Sequence, residues 1–234
     1  MLRHMCITAL GLAMVVLVEV PNAARDIADN RETLKESIDV MNALVGGPDA
    51  QIPQYVLERA EALVIIPKLA KGGFIVGAEH GVGVMSVRNR AAKTWSMPSF
   101  VKLTGGSIGW QIGFTSVDLV LVVMNTNAVD DLLENEFTLG ANASVAAGPV
   151  GRSAEVSTDV SLTAQILAYS RAKGLFAGAT IEGAKLRDDR EANAGVYGKP
   201  LASKELFANP RHVTVPPHVE SWRMAIAAKV ASRP

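Results

Sequence analysis

Cysteine is almost missing: Cys6 is the single thiol in 234 residues. A disulfide framework and a cysteine-based zinc site are therefore excluded within one chain. Histidine is scarce as well. His4, His80, His212 and His218 are the full set, and no two stand at metal-ligand spacing on a helix face, so no metal or other cofactor is expected. Net charge is missing: 23 Lys and Arg balance 23 Asp and Glu. A strongly basic nucleic-acid binder is disfavoured on that ground, and no nucleic-acid partner is expected. Internal repeats and low-complexity tracts are absent. Beyond residue 24 no long apolar run occurs, so the remainder reads as soluble or peripheral. What is present is ordinary globular chemistry, 49% hydrophobic and 20% charged, which excludes a disordered chain.

Residues 1–24 have the layout of a secretory signal peptide. Arg3 and His4 form a short positive start, residues 7–18 are apolar or small, and Asn22-Ala23-Ala24 precede the charged Arg25 and Asp26. The apolar run is short for a membrane span, which needs about 20 residues. Cys6 lies before that run, whereas a lipidated cysteine would follow it. The expectation is export across an inner membrane and a periplasmic or envelope location.

Residues 25–45 place Ile27, Leu34, Ile38, Met41 and Val45 on one face of a helix, stopped by Gly46-Gly47-Pro48. A short helix from Pro53 to about Ala62 follows. Then the texture changes. LVIIP (63–67) is a short apolar run, and strand-like segments rich in β-branched residues and glycine come after it at 73–79, 82–88, 94–102, 107–114, 117–124, 137–148, 156–169 and 175–186. Glycine inside strands permits twist, bulges and close backbone approach. The fold class expected is α+β: a glycine-rich, strongly curved antiparallel sheet, sandwich or small barrel, packed with N-terminal, inserted and C-terminal helices. The inserted helix should start with Thr126 or Asn127 as its cap. Another short helix fits Asp188 to Ala194, and 200–215 reads as loop. A last helix, His218 to Val230, puts Val219, Trp222, Ile226 and Val230 on one face. The expected organisation is a leader (1–24), a main domain (25–200) and a C-terminal extension (201–234) whose helix packs on that domain.

Charge is balanced in total and uneven along the chain. Residues 25–67 are net acidic, and 103–151 hold acids and no base. Residues 68–102 hold Lys68, Lys71, Arg88, Arg90, Lys93 and Lys102 against Glu79 alone, and 192–234 are net basic. A zero total can hide a basic face; equally, blocks can intermix on folding.

Catalytic motifs are weak. Gly105-Gly106-Ser107-Ile108-Gly109 matches G-x-S-x-G. That motif needs a strand before it and a helix after it, and WQIGF reads as strand. Gly81-Val82-Gly83 opens a dinucleotide fingerprint that Ser86 breaks. Asp188, Asp189, Glu191 and Asn193 crowd one segment without EF-hand spacing, and acids in a first helical turn explain them better. Asp118 precedes an apolar strand and needs partners if buried; a catalytic role is open to it, but such a residue more often caps a turn or anchors a hydrogen-bond network. Asn142-Ala143-Ser144 is a glycosylation sequon.

The run of segments IPKLAKGGF (66–74), GVGVMSVRN (81–89), WSMPSF (95–100), GGSIGWQIGFTSVDLVLVVMN (105–125), GANASVAAGPVGR (140–152) and AYSRAKGLFAGATIEG (168–183), with Asn193 and Tyr197-Gly198 trailing, resembles the SYLF domain. The likeness covers roughly residues 30–200. SYLF domains occur in bacterial envelope proteins and in actin-regulating proteins of yeast and animals. The resemblance implies a binding module and not an enzyme, associated in eukaryotic members with phosphoinositides, membranes and in some cases actin. An N-terminal amphipathic helix and basic groups are the elements it implicates. The matching helix here, 25–45, is net acidic and poorly suited to an anionic membrane. Phosphate head groups call for Lys and Arg donors. The candidate lipid contacts are therefore Lys68 and Lys71 after Pro67, Arg88, Arg90 and Lys93 in a hairpin connection, Lys102, and Arg171 with Lys173 before Gly174. The expected partner is an anionic phospholipid or membrane surface. An envelope protein is the alternative partner, and an esterase at Ser107 a distant third reading.

Overall fold

The computed structural model describes residues 22–45, 52–74, 76–108, 113–134, 136–149, 163–172, 175–178 and 183–231. The expected leader up to residue 21, the Gly46-Gly47-Pro48 stop, Gly109, Lys173 and the first half of the expected 156–169 strand lie outside them.

The chain opens with helix α1 (Asn22–Val45) and the short α2 (Gln54–Arg59). Two long strands follow, β1 (Ala62–Phe74) and β2 (Val76–Asn89), then β3 (Thr94–Trp95), β4 (Ser99–Ile108) and β5 (Gly113–Val123). Helix α3 (Thr126–Leu132) interrupts the sheet. The short strands β6 (Phe137–Thr138) and β7 (Val145–Ala147) come next, with β8 (Ile166–Ala172), β9 (Leu175–Gly178) and β10 (Lys185–Asp188). Helices α4 (Arg190–Tyr197), α5 (Ser203–Ala208) and α6 (Pro217–Val230) close the described chain. The fold is α+β with a strongly curled sheet, as expected. Its strand order is β6-β10-β4-β2-β1-β5-β8-β7, with β3 on β2 and β9 on β8. Pairing is antiparallel except between β7 and β8.

Several local expectations are corrected. The segment 94–102 is two strands, because 96–98 leave the ladder. The segment 137–148 holds two short strands instead of one, and 175–186 splits into β9 and β10. The cap of α3 is Asn125, whose Oδ1 accepts from the Ala128 N–H. Asp188 belongs to β10, and α4 starts after Asp189, which caps it by accepting from the Ala192 N–H. The stretch 200–215 is not all loop: it contains α5 and a 3-10 turn at 210–212.

Strand β1 explains the packing. Its apolar residues run consecutively because both faces are buried. Leu63 and Ile65 join a core with α1, α2 and α6, while Val64, Ile66 and Leu69 join a second core with α3 and β6. Burying an aliphatic side chain of this size contributes roughly 1.5–3 kcal/mol. On the helical side, Val219, Trp222, Ile226 and Val230 of α6 are all buried, as their spacing predicts. Trp222 Nε1 donates to Ser37 Oγ at 2.7 Å, which ties α6 to α1. The buried stripe of α1 includes Asn30 and Ser37, while Ile38 is only half-buried. The helix is thus rotated slightly from the face its apolar residues outline, and both polar groups find partners in Ala192 O and Leu34 O.

The curl has a local cause. β1 carries one extra residue relative to both neighbours: Ile65 to Ala70 runs opposite Val84 to His80, and Ile66 to Leu69 opposite Leu119 to Val117. Pro67 supplies no N–H there, and Lys68 adopts φ 51°. β2 must come close at this bulge. A Cβ on Gly83 would lie 2.1 Å from the Ile65 carbonyl oxygen, and one on Gly81 2.5 Å from Ile66 Cγ2. Gly83→Ala should therefore lower the urea midpoint by an amount worth about 1–3 kcal/mol. An unchanged midpoint would mean that β1 can retreat without loss.

Candidate anion-binding site

The described cationic candidates separate along the β1–β2 ladder. Around the bulge, Asp118 of β5 organises one group. Its Oδ1 accepts from the Lys68 N–H at 3.2 Å, and its Oδ2 takes Arg171 Nε at 3.0 Å and Nη2 at 2.6 Å. Asp118 thus anchors a network, one of the roles its sequence context leaves open. Lys68 Nζ pairs with Glu36 of α1, with Glu32 3.8 Å away. The Glu36 hydrogen bond raises the Lys68 pKa. Lys71 pairs with the buried Glu79 at 3.1 Å. Lys102 stands apart on β4 and pairs with Asp189 at 3.0 Å. Each of these cations already faces a carboxylate.

The second group sits at the opposite end of the ladder, where β2 turns into β3. The Asn89 side chain accepts from the Ala92 N–H, and Lys93 takes φ 53°, which closes the hairpin and sets Lys93 at its exposed tip. Lys93 makes no ion pair among the described residues. Arg88 lies over the Trp95 ring, 5.0 Å from its centroid. This is a cation–π arrangement, worth about 0.5–2 kcal/mol depending on desolvation. Its terminal nitrogens donate to the last carbonyls of α2, Glu58 O at 2.8 Å and Leu57 O at 2.9 Å. Its Nε is buried with no partner among the described residues. Burial first, and the Arg90 charge second, push the Arg88 pKa down. Arg90 pairs with Glu61 at 2.6 Å. Arg88 thus has backbone carbonyls and an indole around it, and no ion pair with a carboxylate among the described residues.

Two clefts flank this corner. One, of about 700 Å³, runs past Arg88, Arg90 and Trp95 to Phe207, Val215 and Arg223. The other, of about 430 Å³, lies between Arg88, Arg90, Lys93 and the end of α6 at Ala227 and Val230. Both fall in the size range of small-molecule sites. Arg223 flanks Trp222 on a helix whose spacing reads as core packing, so it is not among the candidate contacts. Its signal was the basic surplus of 192–234, and only the fold brings it beside the hairpin. Lys173 lies outside the described residues.

The other motifs resolve simply. Residues 105–108 continue β4 against β2, and the described chain resumes as β5, not as the helix a nucleophile elbow requires. Asp188 accepts from the Ser203 N–H at 3.2 Å. Asn193 is fully buried, accepts from the Phe100 N–H at 2.9 Å and donates to Ser99 Oγ and Leu201 O. Among the described residues no cluster of His, Cys, Asp or Glu suits a metal ion, and no helix is long and apolar enough to cross a membrane.

The fold and this corner define a small α+β domain whose curled sheet carries cationic clefts at one end. Residues 104–229, just over half the chain, match the family model described as "Ysc84: Las17-binding protein actin regulator". Protein YSC84 of Saccharomyces cerevisiae is 41% identical over 176 residues, 74% of this chain and 37% of that protein. LAS seventeen-binding protein 3 of the same species is 39% identical over 179 residues, 75% of this chain and 38% of that protein. The human SH3 domain-containing YSC84-like protein 1 is 34% identical over 162 residues, 69% of this chain and 47% of that protein. The chain belongs to the Ysc84, or SYLF, family. It spans less than half the length of these relatives.

Arg223 also affects its neighbour. Its hydrogen bonds hold the Glu220 carboxyl below the usual glutamate range. A depressed acid contributes stability that is present above its unfolded pKa and lost as pH falls through the folded one. Carboxyl-carbon NMR titration should find Glu220 titrating low, and returning to the usual range in Arg223→Gln. An identical curve in the variant would mean that the pair does not persist in solution.

Proposed function

We propose that this protein is a non-enzymatic module that binds anionic phospholipid surfaces peripherally, in a bacterial envelope after export. The observation that carries the reading is the corner at Arg88 and Lys93. Of the described candidates, only these two make no ion pair with a carboxylate, and they stand together with Arg90 beside an indole. A basic residue near an anionic membrane is worth about 1 kcal/mol, so three at one corner suffice for salt-sensitive binding. Lys68, Lys71, Lys102 and Arg171 rank lower, because a phosphate would have to displace a carboxylate from each. The family model and one yeast relative are named as binding proteins, which supports a module without catalysis.

The names also favour a second reading, a protein partner. The family model is described as Las17-binding and one yeast relative is named LAS seventeen-binding protein 3, and an envelope protein contacting the same corner is that reading here.

Co-sedimentation with vesicles tests the proposal. Binding to anionic and not neutral vesicles, weakened by salt, is expected. Arg90→Glu with Lys93→Glu should reduce it about tenfold or more, while Lys68→Gln should leave it nearly unchanged. Absence of binding at low salt would overturn the lipid reading and turn the search to a protein partner.

A further inference from the structure

The two clefts share a wall. Arg88, Arg90 and Trp95 line both, and each cleft adds one cation of its own: Arg223 in the larger and Lys93 in the smaller. Each also continues onto apolar side chains, Phe207 and Val215 in the first, Ala227 and Val230 in the second. Cationic groups therefore stand in two places on either side of a shared wall that the largely buried Trp95 backs, with apolar side chains lining each cleft.

We propose that the two clefts form one site for a phospholipid whose headgroup carries two phosphates, one phosphate entering each cleft. This rests on the anionic-lipid reading above and names the lipid class. Three carboxylates border the site, Glu58, Glu61 and Glu220, against Arg88, Arg90, Lys93 and Arg223. Their presence selects against a diffuse attraction to any negative surface. Glu61 and Glu220 take one edge each of Arg90 and Arg223, which orients the guanidinium forks. Arg90 Nη1 makes no protein hydrogen bond among the described residues, and Arg223 Nη1 makes only a 3.5 Å contact to Trp95 O. Those donors remain for phosphate oxygens, where a fork binds best. A lipid with one phosphate fills one cleft and leaves the other. A lipid with two tethered phosphates fills both, and the second contact is then intramolecular.

The test compares vesicles of phosphatidylcholine containing either diphosphatidylglycerol or phosphatidylglycerol, at matched total phosphate charge and ionic strength. The wild-type protein should bind the diphosphatidylglycerol vesicles about tenfold or more tightly. Arg223→Gln, which disables one cleft, and Lys93→Gln, which disables the other, should each bring that ratio close to one while retaining binding to both vesicles. Circular dichroism and thermal midpoint establish that both variants are folded. Equal wild-type affinity for the two vesicles would overturn this inference and leave the anionic-surface reading standing. A preference that survives in both variants would overturn the placement in these clefts. No binding to either vesicle would overturn both readings. Pyrophosphate binding by calorimetry, with no preference between vesicles, would assign the clefts to a soluble anion and overturn the lipid class.

Discussion

An antiparallel sheet whose central strand is apolar on both faces has to be covered twice, and in this protein that requirement falls on β1. One face is covered by α1, α2 and α6; the other by α3 and by the sheet curling over itself. Curling a sheet so tightly needs a place where one strand bends and its neighbour yields. The extra residue at Pro67-Lys68 supplies the bend, and Gly81 and Gly83 let β2 approach where a side chain would collide with Ile66 and Leu69 or with the Ile65 carbonyl. Asp118 then holds the bulge by accepting the Lys68 N–H while its other oxygen binds Arg171. The bulge therefore uses Lys68 and Arg171 as structural groups.

That architecture also sorts the charges. Near the bulge, acids of α1, β2 and β5 lie against the cations, so attraction is satisfied within the molecule. The exposed pair of Lys68 with Glu32 adds little stability, about 0–1 kcal/mol. Together these pairs do neutralise a region that composition marks as basic. At the other end, the hairpin between β2 and β3 carries Arg88 against backbone carbonyls and Trp95, and Lys93 at an exposed tip where it makes no ion pair among the described residues. α6 brings Arg223 to the same place. The cationic end of the domain is thus a joint product of the sheet and the C-terminal helix, which packs on α1 through Trp222 and Ser37.

Much of the fold was legible because periodicity reports burial directly. The LVIIP run stood out only as a short apolar run, and the structure makes it the part of β1 buried on both faces; the spacing of Val219, Trp222, Ile226 and Val230 marked the inner face of α6. Glycine enrichment marked curvature, though not which glycines make it; that depends on which strand lies opposite the bulge. Asn30, Ser37 and Asn193 were not read as core residues because their burial depends on partners up to 185 residues away. The candidate site was half legible. Basic residues could be grouped by sequence, but their acid partners come from other blocks, and ion pairing is decided in three dimensions. Residue-type counting therefore weighted Lys68 and Arg88 alike, and it had no means of pairing Arg223 with a hairpin more than 120 residues earlier.

In this reading the hairpin end, and not the bulge, meets the ligand. Hydrogen–deuterium exchange of the protein with and without anionic vesicles tests this most directly. Slowed exchange confined to the 88–97 hairpin and to α6 is the predicted result. Slowed exchange around 66–71 and 117–119, with the hairpin unchanged, would contradict the account.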